Sequence, residues 1–232
     1  MGKTDVKTIQ RLGALALAIL LAAGLCGCGV VYVNPYADIP KPVATIKIRV
    51  NINEQSEQGE SHIREYTLRF TLDPAYAPNT VSNFINLAQS GYYNGLKIDY
   101  VYPTYFLRGG DPKGDGTGGP DYTIAGEFTD NGFEFNTLRH ERGVISMCRR
   151  LNDNNSAGSQ FFVMLSTHSE YDGKYAAFGY IDPSDKESLA TLGEIEQCLT
   201  GSDYQPTFKH VIESVTVDTK GYVYEVIKYG VE

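Results

Sequence analysis

The chain has 232 residues, 42% of them hydrophobic and 21% charged, which is enough apolar material for one globular domain and excludes a disordered or collagen-like chain. Twenty basic against 28 acidic residues leave a net charge of -8, the wrong sign for a protein that lives on phosphate backbones, so no nucleic-acid partner is expected. Four cysteines are too few for a disulfide scaffold and none of their spacings repeats as a zinc site requires.

Lys3, Lys7 and Arg11 precede an uncharged Leu, Ala, Ile and Gly run from Leu12 to Leu25, a secretory signal pattern. Its end, Leu25-Cys26-Gly27-Cys28, resembles the lipobox of bacterial lipoproteins. Gly27 suits the cleavage position and bulky Leu25 does not, so the resemblance implies a leader over residues 1–27 and a lipid on Cys28. The alternative is an uncleaved membrane helix, since the apolar stretch extends through Val33 and then reaches spanning length. Either way the body of the chain is expected outside the cytoplasm, bound to a bacterial cell membrane through its N-terminus. Residues 28–43, with Pro35, Pro40 and Pro42, read as a stiff extended tether to a domain over residues 44–232.

Within that domain, Ala44–Val50 and Tyr66–Leu72 alternate apolar and polar residues as strands do, across a long polar loop. Val81, Phe84, Ile85 and Leu87 recur at helical spacing, with Asn79 or Thr80 as cap and Gly91 as stop. Further β-like runs follow at Tyr100–Leu107, Gly143–Cys148, Gln160–Leu165, Ala176–Ile181, Val211–Val217 and Tyr222–Lys228, and Leu189–Leu199 offers a second helix. Many short strands and few helices predict a mainly β, closed or sandwiched architecture.

Most chemical motifs are weak. Gly114–Gly119 contains three spaced glycines, but Pro120 follows at once and no strand–helix context surrounds them. A loop whose backbone approaches a peptide is the better reading. Asp111, Asp115 and Asp121 do not complete a calcium loop. His62, His140, His168 and His210 stand singly. No Ser-His-Asp or Cys-His arrangement is apparent, and Cys148 lies within an apolar strand pattern.

The strongest pattern is Ser156-Ala-Gly-Ser-Gln-Phe-Phe-Val163, followed by Tyr171-Asp-Gly-Lys-Tyr-Ala-Ala-Phe-Gly179 and preceded by Arg108-Gly-Gly-Asp-Pro112. With Ala77–Ile85, Gly116–Gly119, Gly126-Glu-Phe and His140–Met147 in the same order, these resemble the cyclophilin family of peptidyl-prolyl isomerases over about Ala44 to Lys228. The resemblance implies a closed, antiparallel eight-stranded β-barrel capped by two helices. It also implies a monomer acting on proline-containing polypeptides with no metal or cofactor. The family lowers the barrier to X-Pro rotation, roughly 18–20 kcal/mol, with an arginine donating to the prolyl nitrogen, an apolar proline pocket and polar groups that hold the peptide backbone.

Carried over by position, the proline pocket is expected from Tyr105, Phe106 and Phe162, with Tyr171 and Tyr175 as its far wall. Gln160 matches the backbone-binding glutamine, Gly116 and Thr117 line the neighbouring subsite, and Cys148 and Arg149 form the rim. The departure is Ile98-Asp-Tyr-Val, which puts Tyr100 where the family has its catalytic arginine. Arg108 stands where a glutamine is usual. The expectation is an exchange of roles in which Arg108 supplies the guanidinium and Tyr100 a hydroxyl that orients it or the substrate. The competing reading is a module that binds proline segments without turnover; a solute-binding lipoprotein is a third, weaker one.

Overall fold

The computed structural model describes residues 34–51, 63–198 and 200–230. The expected leader over residues 1–27, the lipidated Cys28, the first part of the tether and His62 lie outside them. Eight antiparallel strands, β1 (Val43–Asn51), β2 (Ile63–Leu72), β3 (Lys97–Tyr102), β4 (Phe106–Asp111), β5 (Val144–Met147), β6 (Phe161–Met164), β7 (Ala176–Tyr180) and β8 (His210–Asp218), close a barrel in the order β1-β2-β7-β5-β6-β4-β3-β8. Helices α1 (Pro78–Gln89) and α2 (Lys186–Glu196) pack on it. The expected eight-stranded barrel with two helices is what the chain forms, closed at the β2–β7 seam by the two pairs Thr71–Tyr180 and Leu72–Gly179.

Alternation along the strands fills the interior with Ile46, Leu68, Val101, Leu107, Ile145, Val163 and Phe178, all at most 1% exposed. Helix α1 sends Phe84 into this core, its ring 5.1 Å from Tyr93, 5.3 Å from Phe178 and 5.9 Å from Phe161. A second, smaller apolar cluster of Val144, Phe162, Met164 and Ala177 lies apart from the first and gathers Phe106, Tyr171 and Tyr175 around it.

The run Tyr100–Leu107, expected as one strand, is a hairpin. Thr104, at φ +66°, turns the chain between β3 and β4. The expected strand Tyr222–Lys228 does not form either. That segment straps across α1, with Asn86 Nδ2 donating to Tyr224 O at 2.9 Å and Asn79 exchanging two bonds with Ile227 (2.7 and 3.0 Å). Asparagine side chains thus replace the neighbouring strand its alternation had promised. Residues 34–42 also depart from the extended form their prolines suggest. They turn at Pro35–Ala37 and dock through Asn34 Nδ2 to Ala75 O (2.8 Å) and through Pro40 O, which accepts from the Tyr224 hydroxyl (2.6 Å).

Neither Asn79 nor Thr80 caps α1 as expected, because Pro78 opens the helix two positions earlier, where its fixed φ fits and no N–H is missed. The helix-end amides, which have no partner within the helix, go to Glu127, which accepts from Asn79 N (2.9 Å), Thr80 N (2.7 Å) and the Thr80 hydroxyl (2.7 Å). Burial pushes the Glu127 carboxyl up from 4.5 to about 7 despite these donors. A carboxyl whose pKa rises on folding stabilises most in its protonated form, so its contribution is full below 4.5 and lost by about 7. The stability gap between wild type and Glu127→Gln should therefore narrow by up to about 3 kcal/mol over that interval. Urea unfolding at a series of pH values reads it, and a gap that widens with pH would refute the assignment.

Candidate active site

The register places the site on the outer face of the barrel wall. Tyr100 pairs with Arg108, Arg108 with Phe162, and Phe162 with Ser146, so one row of side chains crosses β3, β4, β6 and β5. A second row joins Tyr102, Phe106 and Met164. Phe106 and Phe162, 5.5 Å apart, form the floor of a pocket walled by Tyr171 (5.8 Å from Phe162) and Tyr175 (5.4 Å). Four of the predicted pocket residues therefore meet. Tyr105 does not join them; it lies beyond the pocket edge, stacked between Tyr102 (4.4 Å) and His168 (4.1 Å).

Sequence reasoning missed Asp99. The register between β3 and β4 slips at this point, with Ile98 opposite Gly109 and Tyr100 opposite Arg108. Ile98 and Val101 both point into the core, so the two residues between them both lie on the outer side, as a β-bulge allows. Asp99 Oδ2 accepts from Arg108 Nε (3.1 Å) and from Nη2. The remaining nitrogen, Nη1, lies against Gly116, where a side chain would approach it to 3.2 Å. Gly116 has φ +86°, so both conformation and space call for glycine there. Burial works against the guanidinium's charge, but Asp99 outweighs it and holds the Arg108 pKa above its ordinary value.

Tyr100 meets Arg108 differently from the expectation. Its ring, not its hydroxyl, takes the guanidinium, at 5.4 Å from the centroid. Asp99 does the orienting, and its Oδ1 is buried with no hydrogen-bond partner among the described residues.

Gln160 Nε2 donates to Gly118 O at 2.7 Å. This fixes the amide beside a cleft of about 490 Å³ lined by Gly116, Thr117, Cys148 and Arg149 among others. Gly116 N and Lys113 N donate to Asp111, at 2.5 and 2.9 Å, and the Thr117 hydroxyl to Asp115 at 2.7 Å, so these carboxylates shape the loop. Arg149 is not a free rim charge. Its guanidinium lies 4.7 Å from the Tyr175 ring and 5.3 Å from Phe128, and donates to Lys174 O (3.0 Å), Arg150 O (2.9 Å) and Leu151 O (3.1 Å). It braces the pocket wall. Cys148 is a free thiol that burial pushes up to about 12, and Cys198 is free as well, so Cys148 is a packing residue without nucleophilic character at neutral pH.

A serine, a histidine and an aspartate do align, contrary to the sequence reading. His140 Nδ1 lies 2.9 Å from Asp172 Oδ1 and Nε2 lies 3.1 Å from Ser146 Oγ. Ser146 is 0% exposed, beyond reach of any substrate, so the trio is a structural prop, buried at Ser146 and His140 and reaching the surface at Asp172. Its imidazole lies parallel to Phe162 at 6.0 Å.

The model of the family described as cyclophilin type peptidyl-prolyl cis-trans isomerase/CLD matches residues 60–217. A peptidyl-prolyl cis-trans isomerase of Helicobacter pylori strain J99 is 36% identical over 159 residues, 68% of this chain and 91% of the relative. Peptidyl-prolyl cis-trans isomerase B of Bacillus subtilis is 40% identical over 114 residues, 49% of this chain and 75% of the relative. Among solved structures, a Cryptosporidium parvum cyclophilin-type isomerase crystallised in the presence of the dipeptide Ala-Pro superposes with a TM-score of 0.58 at 25% identity, covering 74% of this chain and 98% of that one. An aromatic pocket on the outer wall of a closed barrel, a glutamine held beside a glycine loop and this family match agree: the chain belongs to the cyclophilin-type peptidyl-prolyl cis-trans isomerases.

Proposed function

We propose that the chain is a peptidyl-prolyl isomerase held by a lipid on Cys28 at the outer face of a bacterial cell membrane. There it assists the folding of exported polypeptides as a monomer. The observation that carries the catalytic part is the Asp99-clamped Arg108 guanidinium, opposite Phe162 in register, whose Nη1 is not taken by Asp99 and lies against Gly116. A proline ring seated on Phe106 and Phe162 brings its nitrogen toward that group. Rotation about the X-Pro bond breaks amide resonance and localises a lone pair on the prolyl nitrogen. Arg108 donates to that lone pair, and Gln160 holds the peptide backbone while the bond turns.

Magnetisation-transfer NMR on proline peptides, which needs no coupling protease, tests this reading. Exchange between cis and trans signals accelerated by catalytic amounts of the protein supports an isomerase. Line broadening on binding without accelerated exchange supports the module that grips proline segments and releases them unchanged. The anchor has its own test. Wild type is expected in the detergent phase after phase separation with a lipid mass on Cys28, and Cys28→Ala is expected to lose that mass. An unmodified wild-type N-terminus, or one beginning at Met1 in the membrane fraction, would overturn the lipidation and favour a membrane helix.

A further inference from the structure

Three of the seventeen tyrosines, namely Tyr102, Tyr105 and Tyr204, are left over by the proline pocket and lie together beside it. The Tyr102 ring lies 4.4 Å from Tyr105 and 4.5 Å from Tyr204, and Tyr105 continues the stack onto His168 at 4.1 Å. All are half-buried, Tyr105 with both ring faces taken by Tyr102 and His168.

Their placement is built at some conformational cost. Only three non-glycine residues among those described have positive φ, and two of them, Thr104 (+66°) and Tyr204 (+60°), set this group. A β-branched residue in that region is a true outlier, and such outliers cluster where a surface does something. The turn is clamped from three sides: Glu196 accepts from Thr104 N (3.1 Å), while the Ser166 hydroxyl and His168 Nε2 (3.0 Å) bind Thr104 O. The Tyr204 loop is tied to β3 by Val101 N donating to Tyr204 O at 2.9 Å.

The shelf is continuous with the pocket and lies at its other end. Along β4 and β6, Gly109 opposite Phe161 marks the end next to Gln160, and Phe106 opposite Met164 the end next to Tyr105. Ring-to-ring steps of 5.8 Å (Phe106 to Tyr100) and 5.6 Å (Tyr100 to Tyr204) carry the surface outward. Tyr102 lies 6.5 Å from Phe106 and Tyr204 one ring further, so the shelf straddles the about 9 Å that three residues of polyproline II cover, the conformation that aromatic-lined grooves recognise.

We propose that Tyr102, Tyr105 and Tyr204 form a second binding shelf, which takes another proline of the same polypeptide three residues from the one seated on Phe106 and Phe162, on the side away from Gln160. The substrate class is thereby narrowed to segments with prolines spaced three apart, in the extended form. This rests on the isomerase or proline-binding reading above.

The test uses the full chain and synthetic peptides of one sequence, with a second proline or a serine placed three residues before or after the isomerising proline. One placement of the second proline is expected to bind about tenfold more tightly than its serine counterpart. In Tyr204→Asn, which keeps a residue tolerant of positive φ, and in Tyr102→Leu, that ratio falls to near one. Reading the ratio between two peptides within each variant cancels any general loss of affinity. Equal affinities for all peptides in wild type, or a gain that persists in both variants, overturns the shelf while leaving the proline pocket standing. Absence of binding to any proline peptide overturns both.

Discussion

Replacing Arg108 with alanine lowers kcat/KM for isomerisation by about 10²- to 10³-fold, the loss of about 2.7–4 kcal/mol that follows removal of one transition-state donor. Peptide affinity changes little, because Phe106, Phe162, Tyr171 and Tyr175 build the proline pocket without it. Arg108→Lys does not restore the rate: Asp99 takes two guanidinium nitrogens and leaves a third, whereas a single ammonium cannot both hold the carboxylate and face the substrate. Asp99→Asn keeps the shape and removes the charge, so kcat falls with KM nearly unchanged, as for a positioning residue. Exchange NMR at saturating and subsaturating peptide separates the two constants. Wild-type turnover in Arg108→Ala would reject the exchange of roles and return the chemistry to another group in the pocket.

The second large effect concerns stability. His140→Ala strips the partner from Ser146 and Asp172 and opens a cavity beneath Phe162, in a place where His140 is 1% exposed. Deleting a large buried side chain and orphaning a buried hydroxyl together cost about 3 kcal/mol or more, which is about 10 °C of Tm for a domain of this size. The effect depends on pH. Burial lowers the His140 pKa below the ordinary histidine value of 6.5, and Asp172 only partly offsets it. A histidine lowered on folding contributes stability above its unfolded pKa and loses it as the pH falls. The Tm gap between wild type and His140→Ala therefore shrinks on acidification below about 6.5. A gap that is absent at neutral pH, or that grows on acidification, would overturn the prop.

What the sequence made legible was whatever is local and periodic. Strands β1 and β2 and the core face of α1 follow from alternation and from the spacing of Val81, Phe84 and Ile85. The β3–β4 hairpin was hidden because its turn uses Pro103 and a left-handed Thr104 where a glycine or asparagine would have marked it. With that turn unseen, the bulge at Asp99 and its reach to Arg108 could not be found, although an acid nine residues before an arginine was there to read. The prop joins positions 140, 146 and 172, and only barrel closure brings such distant positions together. The pocket residues were legible for another reason, their order along a family pattern, and Tyr105 shows the limit of that route. Its position matches, yet its neighbours Tyr102 and His168 turn it toward a different surface.

The wall of the barrel separates two apolar clusters, one inside and one beneath the pocket. They share backbone but answer to different demands. A change of side chain on the outer face, at Tyr100 or Arg108 for instance, leaves the interior side chains with their neighbours intact. Such a molecule can drift in chemistry while its foldability stays put. Tyr100 and Phe106, 5.8 Å apart, are therefore best varied together in a search for altered substrate choice, since neighbours couple, while the interior packing need not be redesigned with them.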